Sequence, residues 1–144
     1  MFVVGSDHGG YNLKIYVAKS LRDSGYDVVD VGCHNEDRCD YPDYAKIVSD
    51  IVVNTPETTG ILFCGTGIGI SIAANKINRV RCAVTNDIYT AKMAKKHNNA
   101  NIIALGGRIL KFSEAINIIY TFIEEKFEEG RHQNRIDKIH QLED

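Results

Sequence analysis

The residues best suited to chemistry fall in short polar turns. Cys64-Gly65-Thr66-Gly67-Ile68-Gly69 follows an apolar run, and its alternating glycines let the backbone approach a ligand and leave N–H groups free at a helix start. A cysteine just before that start feels a positive field favouring the thiolate, which can serve as nucleophile or base. Read alone, Cys64 could equally be a buried strand-end thiol acting as a small apolar group. Ser6-Asp7-His8-Gly9-Gly10, Thr85-Asn86-Asp87, His97-Asn98-Asn99 and Gly106-Gly107-Arg108 add carboxylates, imidazoles, amides and a guanidinium. Arg131 and Arg135 share one face of a helix, with His132 adjacent, and could fork onto a phosphate or form a solvated charged face. Arg108 is a third candidate for holding an anion.

Several familiar sites do not match. The first strand–helix turn, Gly5-Ser6-Asp7-His8-Gly9-Gly10, lacks the G-x-G-x-x-G spacing of dinucleotide binding, and no Lys follows the Cys64 glycines as a P-loop requires. A cysteine phosphatase places Arg where this chain has Ile70, so the clamp on a transferring phosphoryl group is missing. Cys33, His34 and Cys39 share a loop but lack the paired spacing and fourth ligand of a structural zinc site. No metal is expected.

These turns need elements to position them, and the hydrophobic pattern supplies them. Phe2–Ser6, Asp27–Val31, Gly60–Cys64, Arg81–Val84 and Asn101–Leu105 read as strands, mostly apolar as in a parallel sheet covered on both faces. Helical patterns lie near Tyr11–Ser24, Pro42–Val53, Ile68–Ile77, Ile88–His97 and Ser113–Phe127. Gly25 suits a helix C′ position and Pro42 a first turn, while Asp87 and Ser113 are candidate N-caps. The alternation predicts a three-layer α/β/α sandwich with a five-stranded parallel, Rossmann-like sheet and right-handed crossovers. Ligands then bind beyond the carboxyl ends of the strands. The polar turns, including His97-Asn98-Asn99, are expected to gather near that one edge.

An extra C-terminal helix runs from about Arg131 to Leu142 after the break Glu128-Glu129-Gly130. Its apolar positions are few (Ile136, Ile139, Leu142), so it either lies on the surface or packs, over about residues 128–144, on another subunit.

The remaining bounds are broad. The chain has 144 residues, fits one domain and has no internal repeat. A net charge of −2 argues against nucleic acid or an anionic membrane as main partner, and no apolar run reaches the roughly 20 residues of a membrane span. The start, Met1-Phe2-Val3-Val4-Gly5, reads as a strand rather than a signal peptide. A cytoplasmic setting with four free thiols is expected.

Taken together, Ser6-Asp7-His8-Gly9-Gly10, Asp40-Tyr41-Pro42, Cys64-Gly65-Thr66-Gly67-Ile68-Gly69-Ile70-Ser71, Ala73-Ala74-Asn75-Lys76, His97-Asn98 and Gly130-Arg131-His132-Gln133-x-Arg135 resemble type B ribose-5-phosphate isomerases over essentially the whole chain. The wider family includes galactose- and allose-6-phosphate isomerases. The resemblance implies a cofactor-free aldose–ketose isomerase that interconverts ribose 5-phosphate and ribulose 5-phosphate through an enediolate. It implies Cys64 as the base, the Gly65–Gly69 amides (those of Gly65, Gly67, Ile68 and Gly69 included) with Thr66 as oxyanion donors, and His97 as ring-opening acid/base. Asp7, His8, Tyr41 and Asn98 would hold sugar hydroxyls or assist ring opening. His8, Arg108, Arg131 and Arg135 would lie at or near the phosphate. The family also forms dimers in which each site borrows partner residues, so a homodimer, or a higher homo-oligomer, is expected. A hexose-6-phosphate isomerase and a non-catalytic sugar-phosphate binding module are the competing readings.

Overall fold

In the computed structural model, which describes residues 1–144, five strands form one parallel sheet. They are Phe2–Ser6 (β1), Val28–Asp30 (β2), Thr59–Cys64 (β3), Cys82–Val84 (β4) and Ile102–Gly106 (β5), in the spatial order β2-β1-β3-β5-β4. The helices are Tyr11–Asp23 (α1), Tyr41–Asn54 (α2), Ile68–Ala74 (α3), Ile88–Lys96 (α4), Phe112–Glu124 (α5) and Arg131–His140 (α6). A 3-10 turn at His8–Gly10 leads into α1.

Alternate residues of each strand point to opposite faces, so the central strands feed two separate cores. Phe2, Val4, Ile61, Phe63, Ile103 and Leu105 pack beneath α1, α4 and α5. Val3, Leu62, Cys64, Ile102 and Ala104 pack beneath α2 and α3. The expected three-layer sandwich is therefore present. β1, β3 and β5 lie side by side, with Ser6 paired to Phe63 and Cys64 to Gly106, which aligns three strand ends on one edge. β4 is an outer strand, paired with β5 alone.

Most boundary signals act as their chemistry predicts. Gly25 follows α1 at φ +91°, Pro42 opens α2, and the Asp87 carboxylate accepts the Thr90 N–H at the start of α4. Ser113 does not cap α5: it lies inside the helix, and Glu114 instead accepts the Lys111 N–H at 2.9 Å. α3 stops at Ala74, earlier than its apolar pattern suggests. Just beyond it, Asn75 turns its amide onto β4, exchanging hydrogen bonds with the Cys82 N–H and C=O.

α6 runs from the end of α4 to the turn before β4. The Glu128 N–H donates to the Lys96 carbonyl, Arg81 bonds His140, and the Arg79 N–H donates to Glu143. His132 and Ile136 are buried against the chain, whereas Ile139 and Leu142 are 43% and 84% exposed. The helix thus packs partly on its own subunit and leaves apolar side chains uncovered. No helix is long and apolar enough to cross a membrane.

Candidate active site

The strand ends of β1, β3 and β5 bring their loops into direct contact. A methyl group on Gly9 would lie 3.1 Å from the Gly65 amide nitrogen and 3.4 Å from the Arg108 guanidinium carbon. The Arg108 N–H donates to the Gly65 carbonyl and the Gly107 N–H to that of Cys64. Tyr41, the first residue of α2, lies against the same turn, and a Cβ on Gly69 would meet its ring at 2.7 Å. A side chain at either glycine would have to push these neighbours aside.

The turn itself is built around the thiol. Gly67 adopts φ +81°, a left-handed conformation that other residues enter only at a cost, and its N–H donates to Cys64 Sγ at 3.1 Å. The Ile68 N–H is taken by Thr66 Oγ1. The Gly65 and Thr66 N–H groups make no hydrogen bond within the chain, which leaves two donors beside the thiol. Asn86 holds the turn from β4: its side chain donates to the Thr66 carbonyl at 3.3 Å and accepts the Gly106 N–H at 3.0 Å.

Asp7 is buried, and its Oδ1 accepts the Gly9 and Gly10 N–H groups, which fixes the loop carrying His8. His8 Nδ1 accepts the Cys39 N–H, so a neutral ring carries its proton on Nε2. Cys39 itself is held above the ordinary thiol range by burial and by the adjacent Cys33. The loop from Cys33 to Asp40 is anchored from below by Lys14, whose fully buried ammonium bonds Asp30 Oδ1 at 2.7 Å and the Cys33 carbonyl at 2.5 Å. Lys14 has no sequence signature of its own, and Asn86 stands out only as part of the polar turn Thr85-Asn86-Asp87. Each supports the site through backbone contacts visible only once the loops are folded.

His97, Asn98, Arg131 and Arg135 do not join this edge. α4 begins at the carboxyl end of β4 and runs back, so His97 at its end lies where the strands start. There Arg81, at the entry to β4, bonds the carbonyls of Asn98 and Asn99. The full length of β5, about 13 Å, separates that edge from the one bearing Cys64. The expectation of one edge fails because a helix returning from a parallel strand must end opposite its start.

The second cluster is organised by α6. The rings of His97 and His132 stack with centroids 4.3 Å apart, and Glu128 reaches both Lys96 and His132. Burial, helped by Arg131 and His97, pushes His132 below the usual histidine range despite Glu128. Arg131 and Arg135 are exposed, and neither they nor Arg108 enter any of the chain's ion pairs. Three guanidiniums thus remain available to an anion. None of the four surface hollows is lined by Cys64, Thr66, His8 or Tyr41, so within one chain the Cys64 edge encloses no cavity of its own.

Comparison with known proteins gives a consistent result. Residues 2–139 match the family model described as Ribose/Galactose Isomerase. The chain is 39% identical to ribose-5-phosphate isomerase B of Escherichia coli, over 96% of this chain and 93% of that protein. It superposes on the Clostridium thermocellum ribose-5-phosphate isomerase B with a TM-score of 0.96 and 45% identity, covering 98% and 95% of the two chains. The Mycoplasma genitalium ribose-5-phosphate isomerase B, solved with bound ribulose-5-phosphate, matches with a TM-score of 0.93 and 40% identity over 98% and 94%. With the family model spanning nearly the whole sequence, the chain belongs to the ribose/galactose isomerase family and is an aldose–ketose isomerase.

Proposed function

We propose that the chain interconverts ribose 5-phosphate and ribulose 5-phosphate in a homodimer whose two active sites are each shared between subunits. The observation that carries this reading is the separation of the two clusters: Cys64, its amide-rich turn, Asp7, His8, Tyr41 and Arg108 occupy one edge, while His97, Asn98, Arg131 and Arg135 occupy the other. A second copy can bring its own strand-start cluster to the first copy's Cys64 edge. The surface beside the outer strand β4 suits that contact, because Ile68, Ile72, Val84, Ile88 and Tyr89 are all exposed there. The uncovered Ile139 of α6 and Leu142 just beyond it belong to the same contact in this reading.

The chemistry follows from the parts. His97 of the partner subunit donates and accepts the protons that open the furanose ring, assisted by Asp7. Cys64 as thiolate removes the proton from C2 of the open-chain aldose, the electron pair forms the enediolate, and the proton returns at C1 while a hydroxyl proton moves from O2 to O1. The negative charge on oxygen faces the free Gly65 and Thr66 N–H groups and the Thr66 hydroxyl. His8 Nε2–H, Tyr41 and the partner's Asn98 bind hydroxyls, and Arg108 with the partner's Arg131 and Arg135 holds the phosphate.

Steady-state isomerisation of ribose 5-phosphate, allose 6-phosphate and galactose 6-phosphate by wild type and Cys64→Ser tests the reading. Wild type is expected to turn over ribose 5-phosphate fastest, and Cys64→Ser to lose kcat. Faster turnover of a hexose phosphate would reassign the substrate. A Cys64→Ser protein with near-normal kcat would remove Cys64 as the base, and tight binding without turnover by wild type would leave only a binding module.

A further inference from the structure

Three side chains at the strand-start edge have ligand character that isomerisation does not use together. His97, Glu128 and His132 each present one ligand atom, and these atoms lie within 4.8 Å of one another. Two come from α6 and the turn before it, and one from the end of α4. The two segments are pinned by the Glu128 N–H bond to the Lys96 carbonyl. His132 is 5% exposed, and its Nε2 has no hydrogen-bond partner, although Glu128 Oε2 lies 3.4 Å away. A buried imidazole nitrogen left without a partner is costly unless something can fill the position.

We propose that His97, Glu128 and His132 form a binding site for a divalent cation of the zinc class. Two imidazoles and one carboxylate make a donor set that suits zinc, with a fourth position open to water or to a substrate oxygen, and suits magnesium or calcium poorly. Around a tetrahedral ion the ligand atoms stand about 3.3 Å apart, so ligand atoms now within 4.8 Å must draw in by up to about 1.5 Å. The His97 ring makes no hydrogen bond of its own and sits half-buried at a helix end, so it is free to turn its lone pair out of the stack toward the ion. Lys96 competes for Glu128 through Oε1, leaving Oε2 for the metal. Resting on the reading of His97 as ring-opening acid/base, occupation ties up the nitrogen that must carry the proton. The ion then acts as a reversible inhibitor of the cyclic sugar's entry.

Titration of the intact protein with Co2+, followed by displacement with Zn2+, tests the site directly. One ion per chain is expected, with visible d–d bands and no thiolate-to-cobalt charge-transfer band, unchanged in Cys64→Ser. Glu128→Gln and His132→Gln, each checked by far-ultraviolet circular dichroism for an intact fold, are expected to weaken binding at least about tenfold. Glu128 is well exposed, so its variant tests the site even if His132→Gln disturbs packing. Binding that ignores both substitutions overturns the proposal, as does a charge-transfer band that disappears in Cys64→Ser. Should Zn2+ bind with these dependences while saturated enzyme still converts ribose 5-phosphate at full rate, the metal site stands and His97 loses its assigned part in ring opening.

Discussion

The Gly67 N–H donates to Cys64 Sγ across 3.1 Å, so the residue with the left-handed backbone is also the one that anchors the thiol. That bond fixes the direction of the sulfur relative to the free amides of Gly65 and Thr66. In the proposed mechanism the turn therefore serves the thiol and the oxyanion at once, and the phosphate is left to the arginines.

Gly67→Ala is the direct probe of this turn. Its Cβ would fall 2.9 Å from the Leu105 carbonyl carbon, in a conformation costing about 1–3 kcal/mol for a non-glycine residue. Loss of kcat by about 10²–10³-fold is expected, as when an oxyanion donor is misplaced. Steady-state kinetics beside thermal unfolding separates this from simple loss of fold.

Asn86 couples β4 to the same turn without touching the thiol. Asn86→Ala leaves the Thr66 carbonyl and Gly106 N–H without their partner, at a cost of about 1–3 kcal/mol. Because Asn86 holds the peptide beside the free Thr66 N–H, its loss is expected to misplace that donor and lower kcat/KM roughly tenfold. Unchanged kinetics would show that Thr66 is held without Asn86.

Lys14 is fully buried, and its partner Asp30 is 16% exposed. Lys14→Met removes one partner of a part-buried ion pair and leaves the Asp30 charge and the Cys33 carbonyl without it, which should cost about 3 kcal/mol in urea unfolding. Adding Asp30→Asn should recover part of that loss, because the unpaired charge goes too.

Asp87 caps the helix that carries His97 at its far end. Hydrogen bonds from the Thr90 N–H and hydroxyl hold its carboxyl below the usual range. Its stabilising contribution is present above the unfolded carboxylate pKa of about 3.9 and is lost as pH falls through the lower folded value. Asp87→Asn keeps a capping side chain but not the charge. The stability gap between the two proteins should therefore close as pH drops through that acid window, and a gap independent of pH would contradict the cause assigned to the shift.

Much of this was legible in the sequence because local chemistry dictates it. The apolar runs mark all five strands, Gly25, Pro42 and Asp87 mark helix ends, and the Cys64–Gly69 spacing marks the turn. Strand order was not legible, since the place of β5 between β3 and β4 depends on packing between distant segments. The misplacement of His97 is instructive: chain direction alone puts the end of α4 opposite Cys64. Lys14 went unread, and Asn86 and Glu128 were read only as part of a polar strand-end turn and a helix break, because a buried ammonium, a bridging amide and a turn carboxylate have no motif. Their partners are distant in the chain or lie on its backbone.

The sharing of each site between subunits is tested most directly by mixing two inactive proteins. Cys64→Ser and His97→Asn chains are purified separately, unfolded, refolded together in equal amounts and assayed with ribose 5-phosphate. Each mixed dimer holds one site with an intact Cys64 from one chain and an intact His97 from the other. Half the dimers are mixed, so activity should return to about a quarter of wild type when subunits reassort at random in a two-fold dimer. A mixture no more active than either parent would contradict the shared site, and would place Cys64 and His97 in service of one chain alone.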